Sequence, residues 1–133
     1  MKGLKDYFEN TMGTGVMSTA DKEGKVNAAI YSRPHFLEDD SIAFIMSDRL
    51  TRHNLLSNPY AAYLFIEEGF EYKGKRLYLT KIREEENKDL IQSLSRRKYR
   101  NEKTGARFLV VFQLDKVLPL IGAGDEKDGL RQV

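Results

Sequence analysis

The stretch that decides the fold is Lys25-Val26-Asn27-Ala28-Ala29-Ile30-Tyr31-Ser32-Arg33, followed directly by Pro34. Its β-branched and aromatic residues favour an extended chain, and proline, which has no amide hydrogen, stops it. The two alanines in mid-strand leave the backbone uncovered on a pleated surface. A flat ring system has room to lie there and hydrogen-bond main-chain groups. Ordinary packing against a bulky neighbouring strand suits the same residues. Immediately upstream, Val16 to Ala20 is a second β-prone run, separated from the first by Asp21-Lys22-Glu23-Gly24. Turn-forming residues with a glycine between two such runs predict a hairpin.

Working outward, four more strands are expected: Ser41 to Met46, Tyr60 to Ile66, Arg76 to Arg83 and the continuous apolar run Phe108 to Phe112. Gly69 and Gly74 mark a loop between the middle two. Helices interrupt the series. Leu4, Tyr7 and Phe8 share one face of a short helix over 3–10, which Gly13-Thr14-Gly15 ends. A second helix starts at Thr51, read as its N-cap, turns Leu55 and Leu56 inward and stops before Asn58-Pro59. A third is expected over 84–100, with Leu90, Ile91 and Leu94 as its apolar stripe. Its acidic start (Glu84, Glu85, Glu86) and basic end (Arg96, Arg97, Lys98, Arg100) would complement the helix dipole. Six strands with helices inserted irregularly do not suit a parallel βαβ sheet. They fit a mainly β chain, a six-stranded antiparallel barrel with peripheral helices. Residues 1–121 form the expected domain and 122–133 a flexible or partner-ordered tail.

Composition narrows the function. The 133 residues carry 22 basic and 20 acidic side chains, a net charge of +2, without the strong positive field of a dedicated nucleic-acid binder. The basic run Arg96 to Lys103, with Tyr99 inside it, suits a solvated helix end better than a nucleic-acid contact. Cysteine is absent, which removes disulfides, thiolate metal sites and cysteine nucleophiles, and two histidines make a poor metal centre. No Gly-x-Ser-x-Gly elbow is present. Gly13-Thr14-Gly15 precedes a strand instead of following one, so it is no dinucleotide loop. The N-terminus alternates charged and apolar residues, unlike a signal peptide, and no apolar stretch nears the ~20 residues of a membrane span. A cytoplasmic location is expected.

The segment Ser47-Asp48-Arg49-Leu50-Thr51-Arg52-His53-Asn54 brings two hydroxyls and two guanidiniums, Arg49 and Arg52, to a helix start. Unpaired amides and fork-shaped guanidiniums suit a phosphate. A capped surface helix with solvated arginines is the other reading.

Together these residues carry a resemblance. A hairpin ending in Gly-Lys-Val-Asn-Ala-Ala-Ile-Tyr-Ser, a hydrophobic strand, then Thr-Arg-His-Asn-Leu-Leu-Ser-Asn-Pro and Tyr-Ala-Ala-Tyr-Leu-Phe resemble the FMN-binding split barrel of the pyridoxamine 5′-phosphate oxidase-like family, over roughly residues 12–115. The resemblance implies that Asn27, Ala28, Ala29 and Ile30 line the flavin ring. It implies that Ser47, Thr51 and Arg52 hold the phosphate of FMN. His53 stands where several relatives have lysine. Tyr31 and Arg33 fall near the ring's edge and are the expected substrate contacts. The family's usual homodimer, with FMN between the subunits, is implied too, and it would bring the tail Gly129-Leu130-Arg131 near the partner's flavin. The chain departs from the oxidase itself in being shorter and in having no tryptophan.

An FMN-dependent oxidoreductase acting between a reduced cofactor and a small substrate is therefore expected, with the flavin carrying the redox chemistry and no side chain assigned as acid or base. An FMN carrier or electron-transfer protein would use the same pocket. A small nucleic-acid-binding barrel is the reading from another class, and a deazaflavin or haem could occupy the same cleft. The seven tyrosines and seven phenylalanines point independently to a homodimer. Phe36, Tyr60, Tyr63, Phe65, Phe70, Tyr72 and Tyr78 cluster in the middle strands, more aromatic surface than one small barrel is expected to hide.

Overall fold

The computed structural model describes residues 2–95 and 105–122. Helix α1 (Lys2–Asn10) leads into strands β1 (Gly13–Ala20), β2 (Val26–Ile30), β3 (His35–Phe36) and β4 (Ile42–Ser47). Helix α2 (Leu50–Ser57) follows, then β5 (Tyr60–Glu67), β6 (Gly74–Glu85), α3 (Lys88–Leu94) and β7 (Arg107–Pro119). All the strands form one antiparallel seven-stranded sheet, ordered β2-β1-β5-β6-β7-β4-β3. The sheet wraps around an aromatic interior.

The first hairpin forms where the sequence expects it. Asp21 Oδ1 accepts the amides of Glu23 and Lys25, both at 2.9 Å, and Gly24 takes the positive φ of 85° that closes the turn. Phe8, Met17, Phe44, Tyr63, Phe65, Leu77 and Phe112 fill the interior. Helix α1 closes one end by inserting Phe8, with Leu4 and Tyr7 beside it. A smaller cluster lies on the opposite face of the sheet, where Ile91 of α3, with Leu90 and Leu94, covers Ala43, Leu109 and Val111.

Four expectations are corrected. A seventh strand exists, because His35 and Phe36 pair with Ala43 and Ile42 directly after Pro34. Gly13-Thr14-Gly15 does not end α1; it begins β1. A Cβ on Gly15 would stand 1.9 Å from Tyr63 Oη, so glycine there admits the tyrosine. Glu84 and Glu85 do not start a helix. They extend β6 opposite Val110 and Leu109, and α3 begins only after Asn87, whose side chain accepts the Leu90 amide at 3.1 Å. Strand β7 runs seven residues beyond Phe112, to Pro119. Its mostly exposed continuation lacks the continuous apolar pattern of 108–112 and is held by pairing with β6, in a ladder that carries two irregularities. The basic helix end at 96–100, the run to Lys103 and the tail from residue 123 lie outside the described residues. Among the described residues, no helix is long and apolar enough to cross a membrane.

Candidate functional site

Among the described residues, strand β2 lies at one edge of the sheet and pairs only with β1. Its register fixes which backbone groups remain open. The Asp21 amide donates to the Lys25 carbonyl at 3.0 Å and the Tyr31 amide to the Gly15 carbonyl at 2.9 Å. In an antiparallel ladder the backbone groups alternate direction, so residues 25, 27, 29 and 31 turn theirs toward β1. Val26, Ala28 and Ile30 therefore direct their N–H and C=O groups to the open edge. Side chains alternate as well. Those of Val26, Ala28 and Ile30 face outward, with Val26 84% and Ile30 71% exposed, while Asn27, Ala29 and Tyr31 turn inward and are half-buried.

The start of α2 meets this inward face. Thr51, only 3% exposed, accepts a hydrogen bond from Asn27 Nδ2 at 3.3 Å, and its hydroxyl also bonds the Tyr31 phenol. Asn54, on the same face of α2, donates to Thr19 Oγ1 at 3.1 Å, and Thr19 is the residue across from Asn27. Burying these polar groups requires this pairing, which fixes where α2 sits on the hairpin. Burial raises the Tyr31 phenol above its ordinary range, an effect opposed by the Thr51 hydrogen bond and the positive charge of Arg49. Arg49 occupies the N-cap position of α2 in an extended conformation. It is exposed and makes no ion pair among the described residues.

Arg52 has different surroundings. Its Nη2 and Nε donate to the two carboxylate oxygens of Glu84 at 2.6 and 3.3 Å, and Nη1 donates to Asp48 Oδ1 at 2.8 Å. The guanidinium carbon lies 3.6 Å from the ring centre of Phe108. Lys81 Nζ adds a contact to Glu84 at 3.4 Å. The Arg52 fork holds the Glu84 carboxyl below its ordinary range despite partial burial, with Lys81 helping. His53 Nε2 lies 2.8 Å from Asp48 Oδ1 at the exposed side of the same turn.

The structure thus brings together Asn27, Tyr31, Arg49 and Thr51, with Ala28 and Ile30 beside them on the edge strand. It separates others from that group. The four β2 residues do not present one surface, because strand alternation puts Asn27 and Ala29 on one face and Ala28 and Ile30 on the other. Thr51 is not the cap; it is a buried helix residue committed to Asn27 and Tyr31. Ser47 ends β4 opposite Arg107, its carbonyl accepting the Arg49 amide at 2.9 Å. Arg52 is held by two carboxylates, and Arg33 donates to the carbonyls of Phe8 and Thr11 at 2.9 and 3.2 Å, fastening the end of α1. Both guanidiniums are engaged within the fold. Sequence reasoning passed over Thr19, Asp48, Asn54 and Glu84. Thr51 and Asn54, and Asp48 and Arg52, have the i,i+3 and i,i+4 spacing that could have signalled a polar helix face. Nothing local signalled Glu84. Among the described residues no group of three or more His, Asp or Glu is arranged to hold a metal ion.

Solved structures share this architecture at low identity. An FMN-binding protein from Syntrophomonas wolfei subsp. wolfei superposes with a TM-score of 0.70 at 19% identity, over 88% of this chain and 83% of that one. HupZ from Group A Streptococcus gives 0.66 at 16%, over 90% and 93%. A protein named F420 reductase gives 0.61 at 15%, over 79% and 88%. No curated protein matches the sequence. The family model described as pyridoxamine 5′-phosphate oxidase matches residues 5–119. With all seven described strands and α2 inside that match, the chain belongs to the pyridoxamine 5′-phosphate oxidase family.

Proposed function

We propose that this protein binds FMN where β2 meets α2, as a homodimer, and that it is an oxidoreductase passing electrons between a reduced cofactor and a small substrate. The observation that carries the reading is an edge strand with open main-chain groups at Val26, Ala28 and Ile30 beside a helix start bearing Arg49. Alternating donors and acceptors along a strand edge suit the polar rim of a flavin ring. A helix start whose guanidinium makes no ion pair among the described residues suits its phosphate. The family and the similarity to an FMN-binding protein point the same way. Bound there, the flavin would supply the electron transfer. The chain's own part is to hold the ring on Ala28 and its neighbours, keep the phosphate at Arg49 and present the Tyr31 phenol nearby.

What supports the dimer is apolar surface left uncovered among the described residues. The outward side chains of Val26 and Ile30 continue across β1 and β5 through Val16 and Leu64, and neither hydrophobic cluster includes them. A two-fold pairing of this face would cover it in both subunits at once.

A visible absorption spectrum of the purified protein, with the released ligand identified by mass spectrometry, tests the cofactor. FMN supports the reading, whereas a haem, a deazaflavin or a colourless protein that takes up no FMN overturns it. Stopped-flow mixing with reduced nicotinamide cofactors then separates an enzyme, which is reduced rapidly, from an electron carrier, which is not.

A further inference from the structure

We propose that Arg52 is a positioning residue: clamped by Glu84 and Asp48 over Phe108, it fixes the start of α2, and with it Arg49 and Thr51, against the β6–β7 part of the sheet. Three elements meet at this side chain. Its fork spans α2 to β6 through both oxygens of Glu84, its face lies on Phe108 of β7, and Asp48 closes the turn before the helix. Arginine's planar group satisfies all of these directions at once, which an ammonium cannot. The pair is partly withdrawn from water, the side chains of Arg52, Lys81 and Glu84 being 13%, 15% and 22% exposed, so solvent screens it less than a surface ion pair.

The same surroundings make Arg52 unsuited to hold an anion. A phosphate reaching it would have to displace the two-pronged Glu84 contact and settle beside two carboxylates. Arg49, three residues earlier, carries no such partners among the described residues. The helix start therefore divides its two guanidiniums between tasks: Arg49 toward the open side and Arg52 toward the sheet. What Arg52 contributes to ligand binding passes through the placement of Thr51, Asn27 and Tyr31.

The ligand arm of the test rests on the flavin-binding reading; a second arm does not. Glu84→Gln keeps the size of the side chain and removes its charge, and Arg52→Ala removes the clamp. Each is titrated with FMN and with riboflavin, and backbone amide exchange is followed in the unliganded proteins. Both variants are expected to weaken FMN and riboflavin by the same factor, about five- to tenfold, leaving the ratio of the two affinities unchanged. Arg52→Lys should recover part of the loss. Amides of residues 48–54 should exchange faster in both variants while those of β5 do not. A loss confined to FMN in Arg52→Ala, or tighter FMN binding in Glu84→Gln, would make Arg52 a phosphate ligand and overturn the proposal. Folded variants with unchanged affinities and unchanged exchange overturn it as well. If the unmodified protein binds neither flavin, the flavin reading falls, and exchange at 48–54 alone decides the role of Arg52.

Discussion

Two residues near β2 show how much rests on single side chains. Gly15 lies where β1 passes over the ring of Tyr63, whose hydroxyl donates to the carbonyls of Tyr31 and Ser32 at 3.2 and 3.0 Å. A methyl group on Gly15 would meet Tyr63 Oη at 1.9 Å and the Tyr31 carbonyl oxygen at 2.6 Å. One obstacle is a fully buried side chain and the other is backbone, so neither yields easily. Gly15→Ala should destabilise the protein by about 1–3 kcal/mol, toward the upper end, read as a lower urea midpoint. It should also disturb the end of β2 that carries Tyr31. Arg49 is the opposite case, exposed and without an ion pair among the described residues, so its removal should cost little stability. On the proposed reading Arg49→Ala weakens FMN roughly tenfold and leaves riboflavin unchanged in a fluorescence titration. Equal losses for both ligands would take the phosphate away from Arg49.

At the level of elements, α2 is held to the hairpin by neutral hydrogen bonds and to β6 by charge. The first set, Thr51 with Asn27 and Tyr31 and Asn54 with Thr19, does not titrate near neutral pH. The second does. The Arg52 fork depresses the folded-state pKa of Glu84 below the ordinary glutamate value of 4.5, so the stability it contributes is present above that value. It is lost as pH falls through the depressed folded value, because the unfolded chain binds the proton more readily. Thermal melts at neutral pH and below pH 4.5 should show the unmodified protein losing more of its melting temperature than Glu84→Gln. Parallel acid losses in the two would mean that the pair does not stabilise the fold. The same pairing explains the element boundary. A run of Glu84-Glu85-Glu86 is a common helix start, yet here Glu84 stays in the strand, where Arg52 and Lys81 reach it.

For the molecule as a whole, the outward face around β2 decides whether the barrel works alone. The aromatic residues divide. Tyr63 and Phe65 are fully buried and Phe36 packs against the core, whereas Tyr60, Phe70 and Tyr72 are exposed. The barrel hides more of its aromatic rings than composition alone suggests. Among the exposed apolar residues that remain, Val26 and Ile30 lie together on the edge strand of the proposed site. Ile30→Asp places a charge on that face without touching the core. Sedimentation across a dilution series should show the unmodified protein as a dimer and Ile30→Asp shifted to monomer, with flavin binding weakened in step. An unmodified protein that is monomeric throughout would refute the shared interface.

The hairpin of β1 and β2, the amphipathic α1, the stop at Asn58-Pro59 and the mainly β antiparallel class were all legible in the sequence. Each depends on interactions between near neighbours: Asp21 with the amides of its own turn, Leu4 with Tyr7 and Phe8 on one helical face, a proline with the residue before it. The neighbourhood of the candidate site was legible for the same reason, since β2 and α2 each announce themselves locally. What each residue does there was not. Arg49 and Arg52 are the same amino acid three positions apart, and partners distant in sequence, Glu84 and Phe108, set Arg52 apart. Gly13 and Gly15 read as a loop until Tyr63 and the β5 backbone are placed against them, and β7 reads as five residues until β6 pairs with the rest. Charge pairing, close backbone approach and strand register are set by residues distant in sequence, so only the folded chain could assign them.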